Sequence, residues 1–332
     1  MFTVWNVLCA SAFAVALAGC EVKFNAGAAG DPTNVATPGE AAGPAESGDP
    51  PGESHINPKT KKDVAEEQLE KLNGKVKRDA KQPGNPVVEV RLFSDKVTDD
   101  DLKELASFKK LRRLEFSAEG VTGTGFGAIA DLPIEELHVM FAKGLTDDGL
   151  KEIAKIKTLK LLALPQAKFG DDGMKHLAAL ENLEEIRVSH GVGDVGLSAL
   201  KVCKKLKKVQ ADNCNVGDGA MKALSGLPDL RVLILYGSAV TDLGYKYVGK
   251  MEKLEELRTS YRITDKGLAE LGNLKNLKKL NLWNSSVTIK GVRALPNLKN
   301  LKELDVSSWN IKPEEADALR DDLPNCNIAH SK

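Results

Sequence analysis

The stretch from Ile263 to Ser286, ITDKGLAELGNLKNLKKLNLWNSS, combines two apolar periods in one short unit. Between Asp265 and Leu274, apolar residues recur about every three positions, as on a short helix with one buried face. Leu280-Asn-Leu282 then alternates, as a strand does. So short a unit does not bury enough apolar surface to offset the conformational entropy lost on ordering it. It therefore requires similar units on both sides.

The same pattern recurs along the chain every 24 residues, except for steps of 23 from Phe169 to Val192 and from Val240 to Ile263. Self-similarity at this period with an L-x-x-L-x-L core is typical of leucine-rich repeats. The sequence therefore predicts an α/β solenoid, or horseshoe, with a parallel sheet on the concave side and helices on the convex side. The residues that open the units are Val97, Val121, Leu145, Phe169, Val192, Val216, Val240, Ile263, Val287 and Ile311.

The predicted helices begin at an aspartate, as in Thr241-Asp242 and Thr264-Asp265. We expect that aspartate to accept free amide hydrogens at the helix start and to face the positive end of the helix dipole. With these helix starts, the chain resembles bacterial leucine-rich-repeat lipoproteins built on a short VTDxGLxxLxxLxxLxxLxL unit. The resemblance implies recognition of another macromolecule, usually a protein, by the concave face. It implies no catalysis.

Two cysteines, Cys203 and Cys214, fall at apolar repeat positions. They are similar to those of the cysteine-containing repeats of F-box substrate adaptors, but no F-box-like helical module precedes this array. A substrate-adaptor role is therefore only a distant alternative. No histidine lies near them at metal-ligand spacing. We expect buried free thiols rather than a disulfide or a metal site.

The first segment of the chain, residues 1–19, is apolar and ends in small residues, which predicts a signal peptide. Leu17-Ala-Gly-Cys20 resembles a bacterial lipobox, and the resemblance implies cleavage before Cys20 and acylation of that cysteine. The alternatives are an ordinary cleaved signal or an uncleaved anchor, because no Lys or Arg precedes the apolar run.

The remaining boundaries follow from composition. Residues 20–58 are rich in Ala, Gly and Pro and predict a disordered linker that carries the lipidated cysteine. Residues 59–86 are interpreted as an N-terminal cap, with a helix whose apolar residues Val64, Leu69 and Leu72 lie at helical spacing and which ends at Gly74 in a positive-φ conformation. Residues 87–310 hold the leucine-rich repeats, and residues 311–332 the C-terminal cap.

Overall charge is balanced, with 47 basic and 47 acidic residues, so no basic field argues for a nucleic-acid partner. The run KVCKKLKKVQ, residues 201–210, is interpreted as a solvated edge. The alternative for this run is a patch that binds anionic lipid or nucleic acid.

No motif predicts an active site. Gly123-Thr-Gly125-Phe-Gly127-Ala128 matches G-x-G-x-x-G/A. In the repeat register, however, Val121-Thr-Gly-Thr-Gly125-Phe126 aligns with Val97-Thr-Asp-Asp-Asp101-Leu102 of the preceding repeat. The glycines therefore belong to a helix-start loop, and no cofactor is predicted. The five histidines are scattered, and the paired acids lie at helix starts. We expect neither catalytic residues nor a metal.

The candidate binding surface follows from strand register, because residues that flank the two buried strand positions point to the concave side. Tyr236, Arg258 and Trp283 lie on three successive strands. Tyr236, Ser260 and Trp283 occupy the same position on these strands, one column later than Arg258. Aromatic residues and arginine are enriched at binding hot spots. Val232 and Ile234, on the strand of Tyr236, are expected to extend the patch with exposed apolar surface. The predicted partner-binding residues are Tyr236, Arg258, Trp283, Ile234, Val232, Arg187, His138 and Met140.

These patterns predict a non-enzymatic interaction module in the cell envelope, on the periplasmic or surface side, anchored to a membrane by lipid on Cys20. Its expected partner is a protein or peptide bound by the concave face. The alternative is a structural envelope protein that binds peptidoglycan or polysaccharide, or that self-associates.

Overall fold

The computed structural model describes residues 61–330, apart from residues 118, 142 and 297. The predicted signal peptide, Cys20 and linker lie outside the described residues. In the described part, one twelve-stranded sheet follows the chain in sequence order. The first two strands are antiparallel, and each later strand is parallel to the one before it. The strands are β1 (Lys75–Arg78), β2 (Val87–Phe93), β3 (Arg113–Ser117), β4 (Glu136–Met140), β5 (Leu161–Leu164), β6 (Glu185–Ser189), β7 (Lys208–Asp212), β8 (Val232–Ile234), β9 (Glu256–Arg258), β10 (Lys279–Asn281), β11 (Glu303–Asp305) and β12 (Asn327–Ala329).

Short helices connect the parallel strands, and several continue as a turn of 3₁₀ helix. The α-helices are α1 (Lys61–Lys71), α2 (Asp99–Glu104), α3 (Asp147–Ile153), α4 (Asp171–His176), α5 (Asp194–Ser198), α6 (Asp218–Leu224), α7 (Asp242–Val248), α8 (Asp265–Ala269), α9 (Ile289–Arg293) and α10 (Pro313–Asp322). The 3₁₀ segments are Leu105–Ser107, Thr124–Ile129, Leu177–Ala179, Ala199–Val202, Glu270–Asn273 and Leu298–Asn300. No helix within this part of the chain is both long and apolar enough to cross a membrane.

The predicted repeat architecture is confirmed. Every residue that opens a unit is at most 4% exposed. The seven apolar residues of the unit Ile263–Ser286 are at most 2% exposed, and they are Ile263, Leu268, Leu271, Leu274, Leu277, Leu280 and Leu282. Strands β2 to β11 are the ten predicted from the period, and β1 and β12 extend the sheet at its two ends. The core therefore runs continuously between the sheet and the helices. The sheet face that points away from the helices is called the concave face below.

The aspartate that begins each of helices α2 to α8 binds the next repeat, which differs from the expected role as a cap of its own helix. Asp242 accepts hydrogen bonds from the backbone N–H of Thr264 at 2.9 Å and from its hydroxyl at 2.7 Å. The cap of α7 is instead Thr241, whose hydroxyl accepts the N–H of Leu243 at 3.4 Å. Equivalent bonds to the following repeat are accepted by Asp99, Asp147, Asp171, Asp194, Asp218 and Asp265.

In most repeats a glycine two residues after the aspartate leaves room for the aspartate of the preceding repeat, and Ala220 is an exception within the array. A β-carbon on Gly267 would lie 2.4 Å from Oδ1 of Asp242, well inside van der Waals contact. The last repeat has Glu315 at this position, and the repeat before it has Ile289 in place of the aspartate. Aspartate and glycine are thus two halves of one contact between successive repeats.

The N-terminal helix differs from its prediction in two details. Leu69 and Leu72 are buried, but Val64, at the same apolar spacing, is 45% exposed. The residue with positive φ after α1 is Asn73, at 53°, rather than Gly74. Gly74 instead lies against the preceding turn, where a β-carbon would be 2.8 Å from the carbonyl oxygen of Leu69.

Candidate functional site

Two aromatic rings meet on the concave face near the ends of β8 and β10. The ring centroids of Tyr236 and Trp283 are 5.0 Å apart, with their planes inclined at 47°. The two strands are separated by β9, so their backbones lie about 10 Å apart. Both side chains must therefore lean toward each other, and they remain 36% and 37% exposed. The two rings, which the register places on strands either side of β9, are therefore in contact.

The rings meet because Ser260, which lies between them in the chain register, is turned inward. Ser260 is fully buried. Its N–H donates to the phenol oxygen of Tyr245 at 2.7 Å, and its hydroxyl donates to the carbonyl of Val240 at 2.7 Å. Ser260 therefore leaves the space between the rings open. Its expected place on the concave face is wrong, because the short 23-residue step from Val240 to Ile263 removes one residue from this turn.

The apolar extension of this patch is smaller than predicted. Ile234 is only 6% exposed, so the expectation that it presents apolar surface is wrong. It pairs in register with Gln210 on one side and Arg258 on the other, and these longer side chains flank it. Val232 is half-buried. Arg258 is exposed, and its Nε donates to Oε1 of Glu256 at 3.3 Å.

The other three predicted residues form a separate group. His138 and Met140 lie on β4 and Arg187 on β6, with Ala163 of β5 in register between His138 and Arg187. Burial lowers the pKa of His138, and the nearby charges of Arg113 and Arg187 lower it further. Strands β4 and β8 are about 19 Å apart along the sheet. The eight predicted residues therefore fall into two groups on the sheet.

A shallow depression of about 330 Å³ lies on the concave face across β9 to β12. Two ion pairs are present on its wall: Arg258 with Glu256 at 3.3 Å and Lys279 with Glu303 at 2.7 Å. Asp305, also on the wall, accepts a hydrogen bond from the side-chain amide of Asn281. The wall therefore contains three acidic residues and two basic residues.

Sequence reasoning missed Asp212 as a functional candidate. Its Oδ2 accepts a hydrogen bond from Nε2 of Gln210 at 2.5 Å, whereas its Oδ1 is buried and has no hydrogen-bond partner. Burial raises the pKa of Asp212, against the lowering effects of Gln210 and Arg258. The available signal was its place in the register, directly before Tyr236 in the same column.

Two exposed aromatic residues were also missed because they lie in the turns after the strands. Tyr261 follows β9 and is 41% exposed, and Trp309 follows β11 and is 80% exposed. The guanidinium carbon of Arg262 is 5.4 Å from the centroid of the Tyr261 ring. The signal for these residues was their position in strand-to-helix turns, outside the columns that strand alternation assigns to the concave face.

The glycine-rich segment is a junction between repeats. The N–H groups of Gly123 and Gly125 both donate to Oδ1 of Asp99 at 2.9 Å. A phosphate in this loop would have to displace that carboxylate. Among residues 61–330 outside the three gaps, no three His, Cys, Asp or Glu side chains are grouped to hold a metal ion.

The lysine-rich run has local partners in the neighbouring repeat. Lys207 pairs with Glu184 at 2.6 Å and Lys208 pairs with Glu185 at 3.0 Å. The two cysteines expected as buried free thiols, Cys203 and Cys214, are both free and buried, which confirms that prediction.

Comparison with solved structures places this geometry among known folds. The chain is similar to an internalin (inlF) of Listeria monocytogenes, with a TM-score of 0.51 and 16% sequence identity, over 81% of this chain and 94% of the internalin chain. It is also similar to the leucine-rich-repeat ectodomain of the Arabidopsis receptor kinase HAESA, with a TM-score of 0.50 and 16% identity, over 77% of this chain and 44% of the receptor chain. No protein-family model and no curated protein matches the sequence. The twelve-stranded sheet, its flanking helices and these likenesses show that the chain has the leucine-rich-repeat solenoid fold.

Proposed function

We propose that the repeat array is a non-enzymatic interaction module that binds a protein or peptide through its concave face. The observation that carries the proposal is the contact between Tyr236 and Trp283, whose ring centroids are 5.0 Å apart. Each ring is more than a third exposed, at 36% and 37%. Aromatic residues in this state are typical of binding hot spots, because a partner can desolvate a large area there.

The neighbouring polar groups add specificity to this aromatic anchor. Arg258 lies on the strand between the two rings, and its side chain is 53% exposed. The HAESA ectodomain, which has a similar fold, was crystallised in complex with a peptide hormone ligand. That complex supports a peptide, or a segment of a protein, as the class of partner.

Affinity capture from membranes tests the concave face. We expect a Tyr236→Ala/Arg258→Ala/Trp283→Ala variant to lose the partners that the wild-type protein captures. The matched control is Tyr261→Ala/Arg262→Ala/Trp309→Ala, which removes the same three residue types from the turns and should keep those partners. An unchanged partner set in the first variant, with an unchanged melting temperature, would contradict the proposal.

The location proposed for the module is the cell envelope, on the periplasmic or surface side, with a membrane anchor through lipid on Cys20. The support is the resemblance of Leu17–Cys20 to a lipobox. Mass spectrometry of the mature N-terminus tests the anchor. An acylated Cys20 at the N-terminus is the expected result, and either an unmodified Cys20 or an intact Met1 would refute it.

A second candidate function is binding of peptidoglycan or another polysaccharide, and the exposure of Tyr261 and Trp309 favours it. The turns that contain them, residues 260–264 and 307–311, carry no acidic residue and are rich in Ser, Thr and Asn. Aromatic rings beside hydroxyl and amide groups suit the apolar faces and hydroxyls of sugars. Sedimentation with insoluble peptidoglycan, abolished by the control variant but not by the concave-face variant, would favour this function over the first.

A further inference from the structure

The Tyr236–Trp283 pair lies beside a carboxylate oxygen that has no donor. Gln210 of β7 pairs in register with Ile234 of β8. Asp212 ends β7 and Tyr236 follows the end of β8, and the N–H of Asn213 donates to the carbonyl of Tyr236 at 2.7 Å, which places Asp212 beside Tyr236. Oδ1 of Asp212 is buried without a hydrogen-bond partner. Leaving a buried acceptor unpaired is unfavourable, so a donor supplied by a ligand would be stabilised here.

Arg258, the basic residue whose charge lowers the pKa of this carboxyl most, is already engaged. Nε of Arg258 donates to Glu256, which lies two residues back toward the start of β9. Arg258 acts on Asp212 only through its charge, which lowers the pKa of the carboxyl less than burial raises it. Oδ1 therefore has no donor within the described part of the free protein, and because it is buried, a donor from outside the sheet reaches it only when a side chain that covers it moves aside.

The concave surface on the other side of the rings is also slightly acidic. Across β9 to β11 it carries Glu256, Glu303 and Asp305 but only two basic residues, Arg258 and Lys279. With Asp212 and Lys208 of β7 included, the surface around the aromatic pair has four acidic and three basic residues. This charge favours a cationic group over an anionic one.

We propose that the Tyr236–Trp283 pair and Asp212 together bind a lysine or arginine side chain of the partner. The alkyl stem packs against the two rings, whose faces attract a cation. The charged head donates to Oδ1 of Asp212 in a charge-assisted hydrogen bond. This inference rests on the proposed function, since it names the chemistry that the concave face recognises. An apolar side chain would contact the rings but leave Oδ1 without a donor.

Calorimetric titration of the full chain with blocked Gly-Gly-X-Gly-Gly peptides tests the inference, where X is lysine, arginine or norleucine. Norleucine has the stem of lysine without its charge. We expect the lysine and arginine peptides to bind about tenfold more tightly than the norleucine peptide, the ratio that one charge-assisted hydrogen bond contributes.

Two variants, each of which removes one negative charge, test whether the preference for a basic side chain depends on the carboxylate of Asp212. Asp212→Asn keeps the shape of the side chain and should abolish the preference for lysine over norleucine. Asp229→Asn is the matched control, because Asp229, in the repeat that follows that of Asp212, pairs with Lys253, and it should leave the preference unchanged. Thermal melts of both variants check that they fold.

Three results would overturn the inference: equal affinity for lysine and norleucine, a preference that survives Asp212→Asn, or no binding of the basic peptides at millimolar concentration. Each is independent of the capture experiment. If the partners of the wild-type protein still depend on Tyr236, Arg258 and Trp283, the proposed function stands while this inference fails. If those partners do not depend on the three residues, the proposed function fails as well.

Discussion

The carboxylate of Asp171 occupies the space that a side chain on Gly196 would need. A β-carbon on Gly196 would lie 2.5 Å from Oδ1 of Asp171, and the same oxygen accepts the N–H of Gly193 at 2.7 Å. The two residues belong to successive repeats. One atom therefore bonds the turn of the next repeat and sets how closely the two helices approach.

Replacing Asp171 should destabilise the array, whereas replacing its neighbour Asp172 should not. Asp171→Ala leaves the N–H of Gly193 without its acceptor, and we expect a loss of about 1–3 kcal/mol in the free energy of unfolding. The side chain of Asp172 is 80% exposed and pairs only with Lys175. Urea denaturation of both variants measures the difference, and equal stabilities would contradict the inter-repeat role.

Gly196→Ala should cost about 1–3 kcal/mol, because the new methyl group overlaps the carboxylate. In the Asp171→Ala background the same substitution should cost less, since the nearest atoms that remain are Cα of Asp171 and Cβ of Met174, both at 3.0 Å. A double-mutant cycle by urea denaturation measures this coupling. Gly226→Ala is the control, since a β-carbon there would have its nearest neighbour at 3.8 Å.

Tyr245→Phe should destabilise the protein by about 1–3 kcal/mol, because it leaves the buried N–H of Ser260 without an acceptor. Tyr247→Phe, in the same helix, should have little effect, because Tyr247 is only partly buried. Thermal or urea melts compare the two variants. Since Ser260 lies between Tyr236 and Trp283, loss of the Tyr245 hydroxyl should also alter the fluorescence of Trp283. A wild-type emission spectrum in Tyr245→Phe would show that this bond does not support the aromatic pair.

The difference in stability between the wild-type protein and Tyr245→Phe should depend on pH. Burial raises the pKa of Tyr245 to about 12, above its ordinary 10.0. The folded state thus holds this proton while the unfolded state loses it, and folding weakens as the pH rises through this window. The advantage of the wild-type protein should shrink between about pH 10 and pH 12. A constant difference in urea melts over this range would contradict the burial of the phenol.

Asp212→Asn should stabilise the protein at neutral pH even though it should impair binding. Burial raises the pKa of Asp212 above its ordinary 3.8. The stabilising contribution of the protonated carboxyl is complete below the unfolded pKa and is lost as the pH rises through the folded pKa. The variant should therefore melt above the wild-type protein at pH 7, and the two should converge at acid pH. A lower melting temperature for the variant at pH 7 would contradict this.

The two cysteines in the core should resist alkylation in the native state. Burial raises the pKa of Cys203 to about 11 and that of Cys214 to about 12, so little of the reactive thiolate exists at neutral pH. Cys326 is only partly buried and should react first of the three. Peptide mapping after iodoacetamide treatment, with and without urea, measures the order. Rapid native labelling of Cys203 or Cys214 would contradict it.

The fold could be predicted because apolar spacing alone specifies a repeat. Ten strands and the burial of every unit-opening residue, such as Val240 and Ile263, follow from a period held along the chain. The contact partners of polar residues do not follow from it, because they depend on how closely neighbouring repeats approach. The capping role expected of Asp242 shows this, since its amide partner is Thr264, a repeat away.

The binding surface was predicted less completely, because alternation along a strand gives the direction of a side chain but not its exposure. Ile234 points to the concave face but is buried between the longer side chains of Gln210 and Arg258. Ser260 departs from alternation altogether, and the one-residue-shorter step to Ile263 was the available sign. The proximity of Tyr236 and Trp283 followed from their shared column.

The paired aspartate and glycine determine which repeat units can follow one another in the array. From Asp147 onward, every unit before that of Ile289 carries the aspartate, and every unit up to Gly291 except that of Ala220 carries the glycine, so removing or inserting a whole unit rejoins compatible ends. Ile289 presents no carboxylate to the unit that follows, and Glu315 correspondingly has no need to be glycine. Unequal crossover between Asp147 and Gly291 would therefore lengthen or shorten the array. At the junction after Ile289 a further unit would not receive the aspartate contact.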